Sequence, residues 1–160
     1  MTASYTFSLR QASTTDLADV TRLQKAFYVE ESLQWKDTVH NATRQLLSDA
    51  RIGLVLVVQL ADTHGADAIV GYLTLTYGFC LELGGRDAFV DELFVSPAQR
   101  GRGLGKALLH EALRVAELNG VKTVLLEVAA PNPQKLGLYQ SVGFSARPFP
   151  LMIRVVDKHS

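Results

Sequence analysis

The feature that most constrains the fold of this chain is a glycine- and arginine-rich junction between two regular elements. Before it, residues 87–95 form an apolar run of the kind found in buried strands. After it, residues 104–119 repeat apolar side chains at helical spacing, and Gly120 then stands where helices commonly end. The junction itself reads Arg100-Gly101-Arg102-Gly103-Leu104-Gly105-Lys106. A strand, a tight turn and a helix therefore follow one another directly.

Strand-like and helical patterns alternate along the rest of the chain. Apolar, β-branched runs predict strands, and apolar stripes behind capping residues predict helices. The predicted strands cover residues 5–11, 52–60, 68–77, 87–95, 121–128 and 144–156. The predicted helices begin at residues 14–16, with an apolar stripe to residue 27, and cover residues 39–50, 104–119 and 133–142, with turns at residues 62–67 and 84–85. This order predicts an α/β (α+β) fold in which helices cover a mixed sheet.

The composition favours one soluble domain spanning residues 1–160. The 16 Lys and Arg balance the 16 Asp and Glu, so no overall field favours nucleic acid or a membrane as a partner. The chain contains neither a secretory signal pattern nor an apolar run of membrane-spanning length, so we expect a cytoplasmic protein. The single Cys80 excludes an internal disulfide, and the four His show no ligand spacing, so we expect no metal.

The glycine-rich junction predicts an anion-binding cradle. The first N–H groups of a helix have no partner within the helix and lie at the positive end of its dipole. Glycines allow the backbone conformations and the close approach that a bound diphosphate requires. Charged donors beside the glycines strengthen such binding. Here the glycines are Gly101, Gly103 and Gly105, and the charged residues are Arg100, Arg102 and Lys106.

The spacing of the glycines argues against two common phosphate-binding patterns. A Walker loop has four residues between its first Gly and the Gly-Lys-Ser/Thr, whereas three residues separate Gly101 from Gly105 here, and Ala107 replaces the Ser or Thr. The dinucleotide pattern G-x-G-x-x-G fails because Lys106 occupies the position of its last Gly. An ATP-binding module is therefore a weaker alternative.

Two motifs, in order along the chain, resemble those of the GCN5-related N-acetyltransferase (GNAT) superfamily. Arg100, Gly103 and Gly105 match its Q/R-x-x-G-x-G/A signature. The stretch from Asn132 to Phe144 is similar to its N-x-x-A-x-x-L-Y-x-x-x-G-F element, with a lysine in place of the alanine. The resemblance implies a mixed, mostly antiparallel twisted sheet of about seven strands flanked by about four helices, with the fourth and fifth strands splayed.

The resemblance also implies a function. A member of this superfamily is expected to be an acetyl-CoA-dependent N-acetyltransferase, in which a primary amine attacks the thioester directly within a ternary complex. Members often form homodimers. A non-catalytic CoA-binding sensor or regulatory module on the same fold is the alternative that we keep.

The resemblance assigns several residues to acetyl-CoA or CoA. The strand edge near Phe94 and Val95 would pair with the pantetheine arm, and Asn132 would hydrogen-bond to the same arm. Tyr139 stands where the family places the acid that protonates the leaving thiolate, beside the cofactor. The pyrophosphate would be held near Arg100 by the backbone of Gly101, Arg102, Gly103, Leu104, Gly105 and Lys106.

A base must deprotonate the attacking amine, because an alkylammonium group with a pKa near 10.4 is not a nucleophile. Asp91 and Glu92 are the candidates, since both interrupt an apolar strand in which an unpaired carboxylate is costly. Adjacent strand residues face opposite sides, so only one enters the cleft unless a bulge intervenes. Counting back from Arg100, Asp91 falls where spermidine/spermine acetyltransferases place a glutamate, and Glu92 falls where many other members carry an acid. A salt bridge to Arg86 or a solvated edge is the structural alternative.

An acceptor site is predicted in an acidic and aromatic stretch that follows the first helical pattern. Acidic side chains would receive a cationic amine, and aromatic rings would form apolar or cation–π walls. An exposed helix end with core aromatics is the alternative. The acids favour a small cationic amine, such as a polyamine or an amino sugar, and peptide amines stay open. The residues are Tyr28, Glu30, Glu31 and Trp35, with Tyr77, Phe79 and Glu82 as further candidates on the third strand and its loop.

Overall fold

The computed structural model describes residues 6–61, 67–128 and 132–156. The chain divides into two compact units, residues 1–127 and 128–160, and the single domain over residues 1–160 stays a prediction. The first unit contains β1 (Phe7–Gln11), α1 (Leu17–Glu30), α2 (Asp37–Ser48), β2 (Gly53–Ala61), β3 (Asp67–Cys80), β4 (Gly85–Val95), α3 (Leu104–Leu118) and β5 (Thr123–Leu126). The second unit contains α4 (Pro133–Gln140).

The strands of the described residues form one sheet whose order follows the chain, β1-β2-β3-β4-β5. The first four strands pair antiparallel with their neighbours, and β5 pairs parallel with β4. The sheet is therefore mixed and mostly antiparallel, as expected, and four α-helices accompany it in the described part of the chain. The expected number of about seven strands is not confirmed, because the described residues contain a sheet of five.

The strand predicted over residues 144–156 is wrong, since these residues contain neither strand nor helix. Pro148 and Pro150 lack the N–H group that a strand contributes to its ladder, so they interrupt the run at its centre. The apolar side chains that suggested a strand are exposed, with Met152 at 91% and Ile153 at 89% of their full accessibility. An apolar pattern alone therefore does not form a strand here.

Other predicted elements are confirmed with changed ends. β3 runs to Cys80 rather than to residue 77, because Cys80 pairs with Gly85 across a tight hairpin. The turn of that hairpin covers residues 81–84. The helix predicted over residues 39–50 begins and ends two residues earlier, at Asp37–Ser48. Residue 5 and most of the turn predicted at residues 62–67 lie outside the described residues.

Helices bury both faces of the central strands. On one face, α1 contacts β3 and β4 while α2 contacts β2, and on the other face α3 packs on β2, β3 and β4. The cluster beneath α1 and α2 consists of Ala12, Val20, Leu23, Val55, Val57, Ile69, Tyr72 and Phe94. The buried side chains of α3 are Leu104, Leu108, Leu109, Ala112 and Ala116. A short 3₁₀ turn, Pro97–Gln99, carries the chain from the end of β4 toward the start of α3.

A β-bulge at Asp91 changes the face on which the end of β4 points its side chains. Leu75 pairs with Val90, and Thr74 pairs with Glu92, so Asp91 is the extra residue. Directly opposed residues share a face, whereas the neighbours Thr74 and Leu75 point to opposite faces. Val90 and Glu92 therefore face opposite sides although they lie two residues apart. The bulge turns Glu92 toward α1, from which it receives a hydrogen bond.

β5 accompanies β4 over only part of its length. The parallel register joins residues 87–90 of β4 to residues 123–126 of β5. Within the described part of the chain, residues 92–95 of β4 pair with β3 alone. At this end one edge of β4 therefore offers N–H and C=O groups to a further extended segment. The splay between the fourth and fifth strands that the family resemblance implies stays a prediction.

Candidate active site

The loop that joins β4 to α3 forms an open cradle of backbone N–H groups. Gly101 and Gly103 both have φ +77°, a left-handed conformation that residues with a side chain disfavour. The first hydrogen bond of α3 runs from the N–H of Ala107 to the carbonyl of Gly103 at 2.9 Å, so the N–H groups of residues 104–106 have no acceptor within the helix. Apart from chain neighbours, no described atom lies within 4 Å of a Cβ placed on Gly101 or Gly103. The cradle therefore fits a diphosphate.

Arg100, at the entrance of this loop, ties the loop to two other elements. Its Nε donates to the carbonyl of Val95 at 2.8 Å, and its guanidinium donates to Glu30 Oε2 at 2.6 Å. The guanidinium also lies 5.3 Å from the centre of the Phe94 ring. The structure thus joins Arg100, predicted beside the phosphates, to Glu30, predicted to receive the amine. Arg100 consequently neutralises the negative charge of Glu30, which was expected to be available to the amine.

Glu92 is a buried carboxylate with defined hydrogen-bond partners. Glu92 is 8% exposed, and Gln24 Nε2 donates a hydrogen bond to its Oε2 at 2.8 Å. The hydroxyl of Tyr72 donates to the same oxygen at 3.0 Å, and the backbone N–H of Glu92 donates to Thr74 Oγ1 at 2.9 Å. Burial raises the pKa of Glu92, while the hydrogen bonds from Gln24 and Tyr72 partly oppose that rise. A carboxyl in this state can exchange a proton nearer to neutral pH than an exposed glutamate.

The polar contacts of Glu92 continue into both helices of its face. Thr43, on α2, donates from Oγ1 to Gln24 Oε1 at 3.0 Å. Gln24 and Thr43 are 2% and 4% exposed, so this chain of contacts is shielded from water. Neither residue, nor Tyr72, was predicted from the sequence. The one available signal was Gln24 itself, a polar residue within the apolar stripe that contains Val20 and Phe27.

Aromatic side chains from α1 and the segment after it gather beside this carboxylate. Burial and the negative charge of Glu92 raise the pKa of Tyr28 to about 12. The ring of Tyr28 meets Trp35 edge to face at 5.3 Å, and Lys25 Nζ lies 5.6 Å from the centre of the Trp35 ring. Tyr28 therefore contacts both Trp35 and Glu92, and all three are site residues predicted from the sequence. Glu31 is half-buried at the end of α1.

Asp91 differs from Glu92 in its surroundings. The bulge leaves Asp91 exposed, while Glu92 is buried. Partial desolvation nevertheless raises the pKa of Asp91, and its charge adds to the rise in the pKa of Glu92. The salt bridge to Arg86 that the sequence offered as an alternative is replaced by a different contact, because the Arg86 guanidinium lies 4.2 Å from the ring centre of Tyr77.

Tyr77 lies away from the other predicted acceptor residues. It pairs with Ala88 near the start of β4, whereas Glu92 and the glycine loop belong to the opposite end of that strand. Tyr77 and Phe79 line a shallow, open depression of about 560 Å³ together with Arg86 and Asn119. Phe79 is 74% exposed there, and Glu82 is exposed in the adjacent turn. The sequence therefore grouped residues that occupy two ends of the sheet.

In the second unit, Asn132 directly precedes α4 and Tyr139 lies within it. Asn132 caps this helix, because its Oδ1 accepts the N–H of Lys135 at 3.0 Å. Tyr139 is the penultimate residue of α4, and its ring meets Phe144 edge to face at 6.1 Å. The structure thus gives both residues a local role within α4 and its C-terminal turn, and the roles implied by the family resemblance stay predictions.

Metal-binding clusters and membrane-spanning helices can be searched for directly in the described part of the structure. Over the described ranges, no cluster of three or more His, Cys, Asp or Glu is placed to hold a metal ion. None of the helices in those ranges is long and apolar enough to cross a membrane.

The chain belongs to the Acetyltransferase (GNAT) family, whose family model matches residues 17–144. The L-methionine sulfoximine/L-methionine sulfone acetyltransferase of Pseudomonas paraeruginosa is 27% identical over 86% of this chain and 79% of its own length. An uncharacterized protein of Mycobacterium leprae is 42% identical over 49% of this chain, which spans only 21% of that protein. The family resemblance drawn from the two motifs is confirmed.

Solved structures share the fold. An integron cassette protein from the mobile metagenome of Cole Harbour Salt Marsh is 31% identical with a TM-score of 0.79, and the match covers 93% of this chain and 90% of that one. An aminoglycoside N-acetyltransferase, solved in complex with CoA, is 18% identical with a TM-score of 0.78, and the match covers 98% and 99% of the two chains. At that identity the likeness concerns the fold alone.

Proposed function

We propose that this protein is an acetyl-CoA-dependent N-acetyltransferase in which a primary amine attacks the thioester directly. The observation that carries the proposal is the open glycine cradle at the start of α3, reached directly from the end of β4. Its N–H groups offer donors and a positive helix end to a diphosphate. Membership of the acetyltransferase family supports the assignment of that diphosphate to CoA.

The donor substrate would be bound mainly by backbone groups. Residues 101–106 would hold its pyrophosphate, and Arg102 and Lys106 would add positive charge. The edge of β4 at Phe94 and Val95, which lacks a β5 partner in the described structure, would pair with the amide groups of the pantetheine arm. Asn132 uses its Oδ1 to cap α4, so its Nδ2 is the end suited to donate to that arm. When bound, acetyl-CoA supplies an activated acetyl group as a thioester.

Glu92 is the residue that we propose as the base. The bulge turns it to the face of α1, and two hydrogen bonds to Oε2 hold the carboxylate in one orientation. Burial raises its pKa, which improves its ability to take a proton from an alkylammonium group, directly or through one water. The bond from the amine nitrogen to the acetyl carbon forms as the carbon–sulfur bond breaks. The amine proton goes to Glu92, and the family resemblance assigns protonation of the leaving thiolate to Tyr139.

We propose a primary amine on a small molecule as the acceptor. The Tyr28–Trp35 pair offers an aromatic wall beside the carboxylate, which suits an amine carried on a compact apolar or zwitterionic body. The pairing of Glu30 with Arg100 lowers the negative charge available to a polycation such as a polyamine or an amino sugar. The Pseudomonas relative is an acetyltransferase of L-methionine sulfoximine and L-methionine sulfone, which are acceptors of this compact kind.

The proposal is tested by measuring thiol release from acetyl-CoA against a panel of amines. The panel contains L-methionine sulfone, other amino acids, polyamines, aminoglycosides, and peptides with a free N-terminus or a lysine. We expect turnover on a small amino acid, and turnover on peptides alone would replace the acceptor while keeping the enzyme. Binding of CoA without turnover on any member would favour the non-catalytic CoA-binding sensor, and absence of CoA binding would overturn the proposal. A homodimer and a cytoplasmic location stay predictions.

A further inference from the structure

We infer that Gln24 is a positioning residue for Glu92 and that Thr43 sets the orientation in which Gln24 acts. This inference rests on the proposed role of Glu92 as the base. Gln24 lies on α1, Thr43 on α2 and Glu92 on β4, so the three residues come from separate elements. The sequence separations are 68 residues for Gln24 and Glu92 and 19 residues for Gln24 and Thr43. The contacts therefore exist only in the folded chain.

The first step concerns the two ends of the Gln24 amide. The oxygen end can only accept a hydrogen bond and the nitrogen end can only donate. An ionised carboxylate only accepts, so Glu92 is served by Nε2, and turning the amide over would place two acceptors against each other. The observed contact is from Nε2 to Glu92 Oε2 at 2.8 Å. The orientation of this amide consequently matters to the carboxylate.

The second step concerns what fixes that orientation. Thr43 Oγ1 donates to Gln24 Oε1 at 3.0 Å, and it also lies 2.9 Å from the carbonyl of Val39, one turn earlier in α2. A donor on the Oε1 side leaves Nε2 for Glu92. Because Gln24 and Thr43 are both almost fully buried, water does not compete for either end of the amide. Thr43 has a single hydroxyl proton, and when this proton is directed to Gln24 rather than to the Val39 carbonyl, it favours the orientation that serves Glu92.

The third step concerns the other groups that face Glu92. Tyr72 on β3 donates to the same oxygen as Gln24, and Tyr28 on α1 interacts with the carboxylate. Asp91, its neighbour on β4, is the charged group that acts on it. Gln24 and Tyr72 both donate to Oε2, at 2.8 and 3.0 Å. Gln24 is therefore one of the groups that fix the position of this oxygen and, with it, the orientation of the carboxylate.

Replacing Gln24 by methionine tests the first step. Gln24→Met keeps the length of the side chain and removes the donor, so ionised Glu92 loses one charge-assisted hydrogen bond. We expect the acidic limb of the kcat/KM profile to move to higher pH by about one unit, with unchanged affinity for CoA. Leu23→Met is the matched control, because Leu23 is equally buried on α1 and belongs to the apolar cluster. It should lower thermal stability without moving the limb.

Substitutions at Thr43 test the second step. Thr43→Val keeps the shape and removes the hydroxyl, so Gln24 Oε1 loses its hydrogen-bond donor and the amide is held less firmly in the orientation that serves Glu92. We expect kcat to fall several-fold with no change in CoA affinity, and Thr43→Ser, which keeps the hydroxyl, to restore it. Equal kcat in the valine and serine variants, together with a change in thermal stability alone, would reduce Thr43 to a structural role.

A direct titration separates this inference from the proposed function. The carboxyl carbon of Glu92 is followed by NMR in protein labelled at glutamate, with Glu92→Gln identifying its signal. Gln24→Met should raise the titration midpoint of that signal whether or not an acceptor is known. An unmoved midpoint would overturn the inference even in an active enzyme. A raised midpoint in a protein without acetyl transfer would keep the contact and reject the proposed function.

Discussion

Arg100 and Glu30 form an ion pair at 2.6 Å between the glycine loop and the end of α1, 70 residues apart in the chain. The pair connects the element proposed to bind the donor with the helix that carries the proposed acceptor wall. Both side chains are partly exposed, at 44% and 36%, so water and salt weaken their attraction. The pair therefore contributes more to the local charge at the loop than to the stability of the fold.

Removing the acid of this pair should strengthen the binding of CoA. In Glu30→Gln, the guanidinium of Arg100 is no longer neutralised, so the loop presents more positive charge to the phosphates. We expect CoA affinity to rise by no more than about fivefold, the equivalent of about 1 kcal/mol, and to lose this gain at high salt. Calorimetry at two salt concentrations measures the effect, and Glu117→Gln at the far end of α3 is the control for net charge. A large rise in KM for the amine would instead show that Glu30 receives the acceptor.

The glycine cradle gives a second prediction with a built-in control. Gly103 at the N-cap of α3 and Gly120 just beyond its C-terminus have similar left-handed φ values, +77° and +71°, and both have open space where a Cβ would lie. Either Gly→Ala change should cost about 1–2 kcal/mol of unfolding free energy from backbone strain. Only Gly103→Ala should also weaken CoA binding, by about tenfold or more, because its Cβ intrudes on the phosphates. Equal CoA affinity in the two variants would remove the cradle from the donor site.

Substitution of the proposed base should lower activity and raise stability. In Glu92→Gln, the acceptor of the amine proton is lost, so turnover should fall by about 10²-fold or more. The raised pKa means that folded Glu92 holds its proton more tightly than in the unfolded chain. Wild-type stability therefore falls as the pH rises from the ordinary glutamate pKa through the raised one.

The glutamine variant lacks that titration, so its unfolding free energy should exceed that of the wild type at neutral and alkaline pH. Chemical denaturation at a series of pH values measures the difference. Asp91→Asn is the comparison for the choice of base, because Asp91 is the exposed member of the pair. A greater loss of turnover in Asp91→Asn than in Glu92→Gln would assign the base to Asp91.

Asp16 gives a prediction about acid stability that does not depend on the function. Arg10 donates to both carboxylate oxygens at 2.8 Å, and the N–H of Ser13 donates at 2.8 Å as well. The bonds from Arg10 above all lower the pKa of Asp16 to about 2. The ionised form thus stabilises the fold above the ordinary aspartate pKa, and this stabilisation is lost as the pH falls toward 2.

Replacing Asp16 by asparagine should therefore lower the unfolding free energy at pH 7 by about 1–2 kcal/mol and have little effect near pH 2. Denaturation curves at the two pH values provide the measurement. Asp19→Asn removes a more exposed ion pair, that with Arg22, and should change stability less. A cost of Asp16→Asn that is the same at both pH values would show that packing, not charge, is responsible.

Tyr139 is tested by removing only its hydroxyl. Tyr139→Phe keeps a ring to meet Phe144, so α4 and its turn should persist. If the phenol protonates the leaving thiolate, turnover should fall by about 10²-fold while CoA affinity stays within about twofold of the wild type. Steady-state kinetics and calorimetry distinguish the two quantities. Unchanged turnover would leave Tyr139 without a part in the chemistry.

The sequence predicted the features that depend on neighbours along the chain. The glycine loop and the start of α3 at Leu104 follow from local backbone requirements, which few residues other than glycine meet. The prediction of a strand after Gly143 was wrong, because an apolar run becomes a strand only when it pairs with another strand. Pro148 and Pro150 limit that pairing. Patterns thus located elements better than they decided tertiary pairing.

The site was predicted only where its residues are close in sequence. The candidate bases Asp91 and Glu92 are adjacent in the sequence. The choice between them depends on a bulge that is visible only in the register between β4 and β3. The partners of Glu92 arrive from α1, α2 and β3, and no spacing rule links such positions. The same holds for Arg100 and Glu30, whose separate interpretations gave no hint that they form a pair.

The bulge at Asp91 makes the face on which Glu92 lies independent of whether Asp91 is present. Deleting Asp91 would let β4 continue in regular register, and Glu92 would keep its place opposite Thr74 on the face of α1. The sheet could still form, with the buried acid on the same side. Among relatives of this chain, the loss of one residue at this point would therefore remove the exposed acid and keep the proposed base.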